Sequence, residues 1–81
     1  MMNGWCKFTA ESPNDLVILY SLEDNRSCDG MLFFDKATKE LSIMRLSRGA
    51  TVDLTKHFIC AVRGRIRRGF ELNKIYYLAV G

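Results

Sequence analysis

Along the chain, apolar residues come in short runs between polar turns up to about residue 47, and at helical spacing after it. WCKFTA (residues 5–10) predicts a short strand, ended by ESPND, where Pro13 and Asn14 supply turn chemistry. LVILYSL (Leu16–Leu22) is apolar on both parities, which suits a strand covered on both faces. The polar loop EDNRSCDG closes at Gly30, MLFF (Met31–Phe34) forms a third strand, DKATKE a charged hairpin loop, and LSIMRL (Leu41–Leu46) a fourth strand. Loops this short between consecutive strands predict an antiparallel meander.

After SRGA the period changes. Thr51 or Asp53 can cap a helix, the acid lying near its positive end. At about 100° per residue, Leu54, Phe58, Ala61, Val62 and Ile66 share one stripe, with Ile59 at its edge. Lys56, Arg63 and Arg67 point the opposite way, and Gly69 sits where a left-handed cap is wanted. A shorter register ends the helix at Arg63, makes Gly64 the cap and turns RIRRGFEL into a hairpin. The longer one is preferred because Ile66 continues the stripe. IYYLAV (Ile75–Val80) then predicts a fifth strand, apolar on both faces and so expected in the interior of the sheet.

These elements predict a single α+β domain over residues 1–81: a mainly antiparallel five-stranded sheet in ββββαβ order, with one amphipathic helix packed on one face. One helix covers one face only. In Leu16–Tyr20, Met31–Phe34 and Ile75–Val80 both parities are apolar, so the second face also wants cover. The simplest cover is a second copy stacked about a two-fold axis, a homodimer through the exposed sheet face; another protein partner would satisfy the same surface.

Composition bears this out as a folded chain: 48% of the 81 residues are hydrophobic and 26% charged, with one proline. So small a domain benefits from association. The net charge of +3 conceals a polarity, since residues 1–44 carry −3 and residues 45–81 carry +6. Such polarity serves nucleic acid and self-association equally. Three widely spaced cysteines, Cys6, Cys28 and Cys60, argue against a disulfide framework and for a reducing compartment. The N-terminus has no signal-peptide pattern, and LVILY is too short to cross a bilayer. A cytoplasmic protein without a membrane segment is expected.

RGRIRRG places Arg63, Arg65, Arg67 and Arg68 within seven positions. Arg67 and Arg68 fall in the last helical turn, where cations oppose the dipole, and Arg65 projects onto the apolar side, where its stem can lie along the surface. The run therefore reads first as a solvated helix end. A small nucleic-acid-binding protein contacting phosphates through these four arginines is the alternative, although no recognised module accompanies them.

Other motifs point away from enzymatic chemistry. His57 and Cys60 have a spacing that two metal ligands can use, but paired-knuckle spacing is absent; a small buried thiol and a surface histidine are the expectation. As nucleophile and base the same pair lacks a third orienting group. DNRSCDG lacks the alternating ligands and downstream glutamate of a calcium loop, and no phosphate-binding loop or nucleophile elbow occurs. No catalytic residue, metal ligand or cofactor site is assigned. A non-enzymatic protein-interaction module, self-associating, is the function expected.

The CDG turn (Cys28–Gly30), DK opening the next loop (Asp35–Lys36), Leu46, Ser47 and Gly49 ahead of an aromatic-rich helix, and a final strand closed by Gly81 together resemble a set of small uncharacterised proteins of Gram-positive anaerobic bacteria. The resemblance spans roughly residues 13–81 and rests on turn residues. It implies the same layout of elements and no activity, and this chain is the more arginine-rich in its helix.

Overall fold

The computed structural model describes residues 2–80; the closing Gly81 of the resemblance lies outside them. Five strands and one helix follow in the expected order: β1 (Met2–Glu11), β2 (Asp15–Leu22), β3 (Gly30–Asp35), β4 (Glu40–Arg45), α1 (Val52–Arg68) and β5 (Ile75–Val80). β1 is longer than WCKFTA alone indicates, because Met2 to Gly4 pair with Val80 to Leu78 of β5. All pairings are antiparallel, in the order β4-β3-β2-β1-β5. The chain leaves the sheet at the β4 edge, crosses it as α1 and re-enters beside β1. Thus β5 is an edge strand, not the interior one its apolarity suggested. Apolar residues on both parities report which faces a strand presents, not how many neighbours it pairs with. Leu78 faces the core, while Ile75 and Tyr77, 56% and 54% exposed, lie on the opposite face.

The core is the face of the sheet under α1. Cys6 and Phe8 of β1, Leu16, Ile18 and Tyr20 of β2, and Leu32 and Phe34 of β3 point into it, alternating with less buried residues as strand geometry requires. From the helix come Phe58, Ile59 and Val62. The helix runs through to Arg68, so Gly64 is interior and the longer register holds. Its start is capped as expected, with Thr51 Oγ1 accepting from Leu54 N–H at 3.1 Å. At the other end Gly69 has φ 97° and ψ 159°, a positive-φ stop that is extended in ψ and not the left-handed cap anticipated.

The buried stripe is rotated from the expected one. Leu54 is 39% exposed, and Thr55 is fully buried in its place. The cause is a polar pair in the core: Thr55 Oγ1 lies 2.9 Å from Tyr20 Oη, which also accepts the Ser47 N–H at 3.1 Å. A buried hydroxyl without partners costs more than a leucine gains at a half-covered position, so the tyrosine sets the rotation.

Gly4 lets the helix approach, and Gly30 makes room for the Tyr20 ring and the connection before α1. A methyl group on Gly4 would stand 2.7 Å from Phe58 Cε1, and one on Gly30 would collide with the Tyr20 ring and come within 2.7 Å of Ser47 N. Phe58 and Tyr20, ring centroids 6.1 Å apart, occupy the space those missing side chains leave.

Asp29, one of several turn carboxylates in the sequence, joins the loop after β2 to the connection before α1. It accepts from Ser47 Oγ at 2.6 Å, from Asn25 Nδ2 at 3.1 Å and from the Arg48 N–H at 3.3 Å, while its carbonyl accepts from Arg45 Nε at 2.8 Å. The Ser47 hydroxyl above all, with the Arg48 and Asn25 donors, holds its carboxyl below the usual range against a smaller opposing effect of burial.

Phe58→Ala should lower stability by about 3–5 kcal/mol; an unchanged denaturant midpoint would contradict the packing. Because the folded state depresses the Asp29 pKa, its contribution is complete above the unfolded value near about 4 and is lost as pH falls through the folded value. Denaturant midpoints from pH 7 to 2 should therefore show Asp29→Asn less stable at neutral pH and less sensitive to acid than the parent chain.

Candidate interaction surfaces

The face of the sheet away from α1 is assembled by the register of four strand pairs. Its first row is acidic: Glu40, Asp35 and Asp15 lie side by side on β4, β3 and β2. Phe33 and Val17 are paired in the next row. Then come Arg45, Met31, Leu19, Lys7 and Ile75, crossing all five strands. The last row is Ser21, Trp5 and Tyr77. Trp5 and Tyr77 rings are 4.7 Å apart, and the Arg26 guanidinium lies 5.1 Å above the indole. Among the described residues no helix covers this face. At its far end the β2–β3 loop folds against it, where Ser21 is fully buried and accepts the Cys28 N–H at 3.1 Å, and Met44, 62% exposed, stands on the edge strand β4. Neighbouring carboxylates repel within one sheet. Asp15 Oδ1 accepts from Ser12 Oγ at 2.7 Å and Asp35 Oδ1 from the Ala37 N–H at 2.9 Å, and none of the three has a cationic partner among the described residues.

The four arginines do not form one surface. Arg65 lies over the Tyr76 ring at 5.0 Å and donates Nε to Gly69 O at 3.0 Å, with its stem along the core as expected. Arg68 is exposed beside Gly64. Arg63 and Arg67 turn instead toward the β3–β4 hairpin, where Arg63 Nη1 donates to Lys39 O at 2.6 Å. They are thus not simply on the solvent side opposite the core stripe. They border a cleft of about 410 Å³ at the end of the sheet. Its floor is Leu16, Phe34, Ile66 and Phe70, and Lys36 and Lys39 complete its rim with Glu11. Glu11 pairs with Lys36 at 2.8 Å; Lys39, Arg63 and Arg67 have no carboxylate partner among the described residues. Nothing in the spacing of the sequence joins Lys36 and Lys39 to the helix arginines, since only the fold brings the hairpin to the helix end.

The thiols are dispersed. Cys60, expected to be buried, is exposed on α1 beside Asp53, Lys56 and His57, because it falls on the helix face turned from the sheet. Cys6 and Cys28 are buried. Burial, reinforced by Cys28 and opposed by Arg65, pushes the Cys6 thiol up to about 12, and burial raises Cys28 as well against the Ser21 hydrogen bond. Among the described residues no three His, Cys, Asp or Glu side chains group as metal ligands. No helix among them is long and apolar enough to cross a membrane.

The chain matches no protein family, no curated protein and no solved structure.

Native protein at pH 7.5 should react rapidly with a thiol reagent at Cys60 only, and at all three cysteines after denaturation. Fast modification of Cys6 in the folded state would contradict its burial.

Proposed function

We propose that this chain is a non-enzymatic interaction module that pairs with a second copy of itself through the open sheet face. The order of charges along that face is the observation that carries the reading. The acidic row Glu40–Asp35–Asp15 stands at one end and Phe33 and Val17 follow it, then Arg45 and Lys7 flank Met31 and Leu19 in the next row, and Arg26 lies over Trp5 at the far end. Two copies stacked about a two-fold axis across the strands bring each acidic row against the basic end of its partner and close the apolar middle on itself. Such an isologous contact needs one self-complementary surface, and this face is one.

Burial raises the Cys6 and Cys28 thiols and keeps them protonated near neutral pH, so neither is poised as a nucleophile. Three cysteines outside any disulfide support a reducing, cytoplasmic setting. Divergence of the four arginines over different sides of the helix end favours this reading over a nucleic-acid surface built on them.

Sedimentation equilibrium at micromolar concentration should give a dimer. Phe33→Asp should give a folded monomer, and 1 M salt should weaken the dimer several-fold by screening the end-to-end charges. A monomer for the parent chain across that range would refute the proposal.

A further inference from the structure

The cleft at the helix end joins an apolar floor to a cationic rim. Its floor is made from the ends of core elements: Leu16 is second in β2, Phe34 nearly closes β3, Ile66 lies in the last turn of α1, and Phe70 stacks on Phe8 at a centroid distance of 4.2 Å. The floor is therefore rigid and apolar. Four cations from two separate segments converge on its rim, and Glu11 neutralises Lys36 alone. Arg63 is held in place by a neutral carbonyl, which fixes its position and leaves its charge uncompensated. Converging like charges repel, and here no described carboxylate relieves Lys39, Arg63 and Arg67.

We infer that this cleft binds a small amphipathic anion, a carboxylate or phosphate head on an apolar body, with the head between Lys39, Arg63 and Arg67 and the body on Phe34, Ile66 and Phe70. A guanidinium pair takes an oxyanion through charge-assisted hydrogen bonds, and the apolar floor rejects a fully hydrated ion. The volume of about 410 Å³ falls in the range of small-molecule sites and is too small for a folded partner. A free anion of this kind, not a polymer, fits both the size and the mixed lining. The cleft opens on the helix side of the sheet, so its occupancy does not depend on self-association.

Calorimetric titration with octanoate, kept below micelle formation, tests this alongside octanol (the chain without charge) and inorganic phosphate (the charge without chain). Octanoate should bind one site per chain with a dissociation constant below about 1 mM. Octanol and phosphate should each bind at least about tenfold more weakly, and Arg67→Ala and Lys39→Ala should each weaken octanoate by about tenfold. Neither side chain has a hydrogen-bond or ion-pair partner among the described residues, and circular dichroism should show both variants folded; Arg67→Gln serves if Arg67→Ala is not. Phe33→Asp, on the opposite face, should leave octanoate binding unchanged. Absence of saturable octanoate binding would overturn the inference. So would octanol binding as tightly as octanoate, phosphate binding as tightly as octanoate, or octanoate binding indifferent to both Arg67→Ala and Lys39→Ala. Octanoate binding lost in Phe33→Asp alone would place the ligand on the open face and overturn it too, while leaving the dimer to be judged by sedimentation.

Discussion

The close packing that two strand glycines permit, Phe58 of α1 over Gly4 and the Tyr20 ring and Ser47 backbone over Gly30, is the constraint from which the other features follow. Gly4 and Gly30 remove side chains where Phe58 and Tyr20 must enter, and Tyr20 then needs a partner for its buried hydroxyl. Thr55 and the Ser47 backbone supply it. That pair turns the helix away from the rotation its apolar stripe alone would choose, exposing Leu54. It also anchors the start of α1 to the segment that Asp29 clamps, so the aromatic packing and the polar network hold the same joint.

With the helix seated there, the molecule has one finished face and one unfinished. The helix, about 25 Å long at 17 residues, crosses from the β4 edge toward β5 and has nothing left to place on the far side. The open face carries Trp5, Leu19, Met31 and Phe33 across the three interior strands and Tyr77 on the edge strand β5. The same helix ends over the β3–β4 hairpin, and the angle between them leaves the basic cleft. Both candidate surfaces are thus consequences of a single packing decision.

The charge polarity of the chain takes a form in space that differs from its form in sequence. Counting by halves separates an acidic first part from a basic second part. In the fold, the hairpin end of the sheet is acidic on its open face, through Asp15, Asp35 and Glu40, and basic on its helix side, where Lys36 and Lys39 from the acidic half join Arg63 and Arg67. Opposite charges are divided by the thickness of the sheet, giving each face its own electrostatic character.

Strand and helix positions were legible in the sequence because alternation and helical spacing are local properties, and each apolar run here ends at a turn residue or a cap. Short loops determined the meander, and Ile66 determined that the helix continues past Gly64. The excess of apolar faces over available cover was likewise countable from parity alone. The lateral place of β5 was not legible, since pairing partners are chosen across long sequence separations and apolarity records only faces. Nor was the role of Asp29, whose meaning depends on Ser47 and Arg48 arriving from a distant loop. The exposure of Leu54 and the burial of Thr55 required the Tyr20 hydroxyl to be in place, whereas Cys60 lies opposite the apolar stripe by helical spacing alone. The arginine run was visible as a run, but its division among Tyr76, solvent and the cleft was decided by the helix end meeting the hairpin. Local spacing determined the elements; contacts between residues far apart in the chain decided which side chains share a surface.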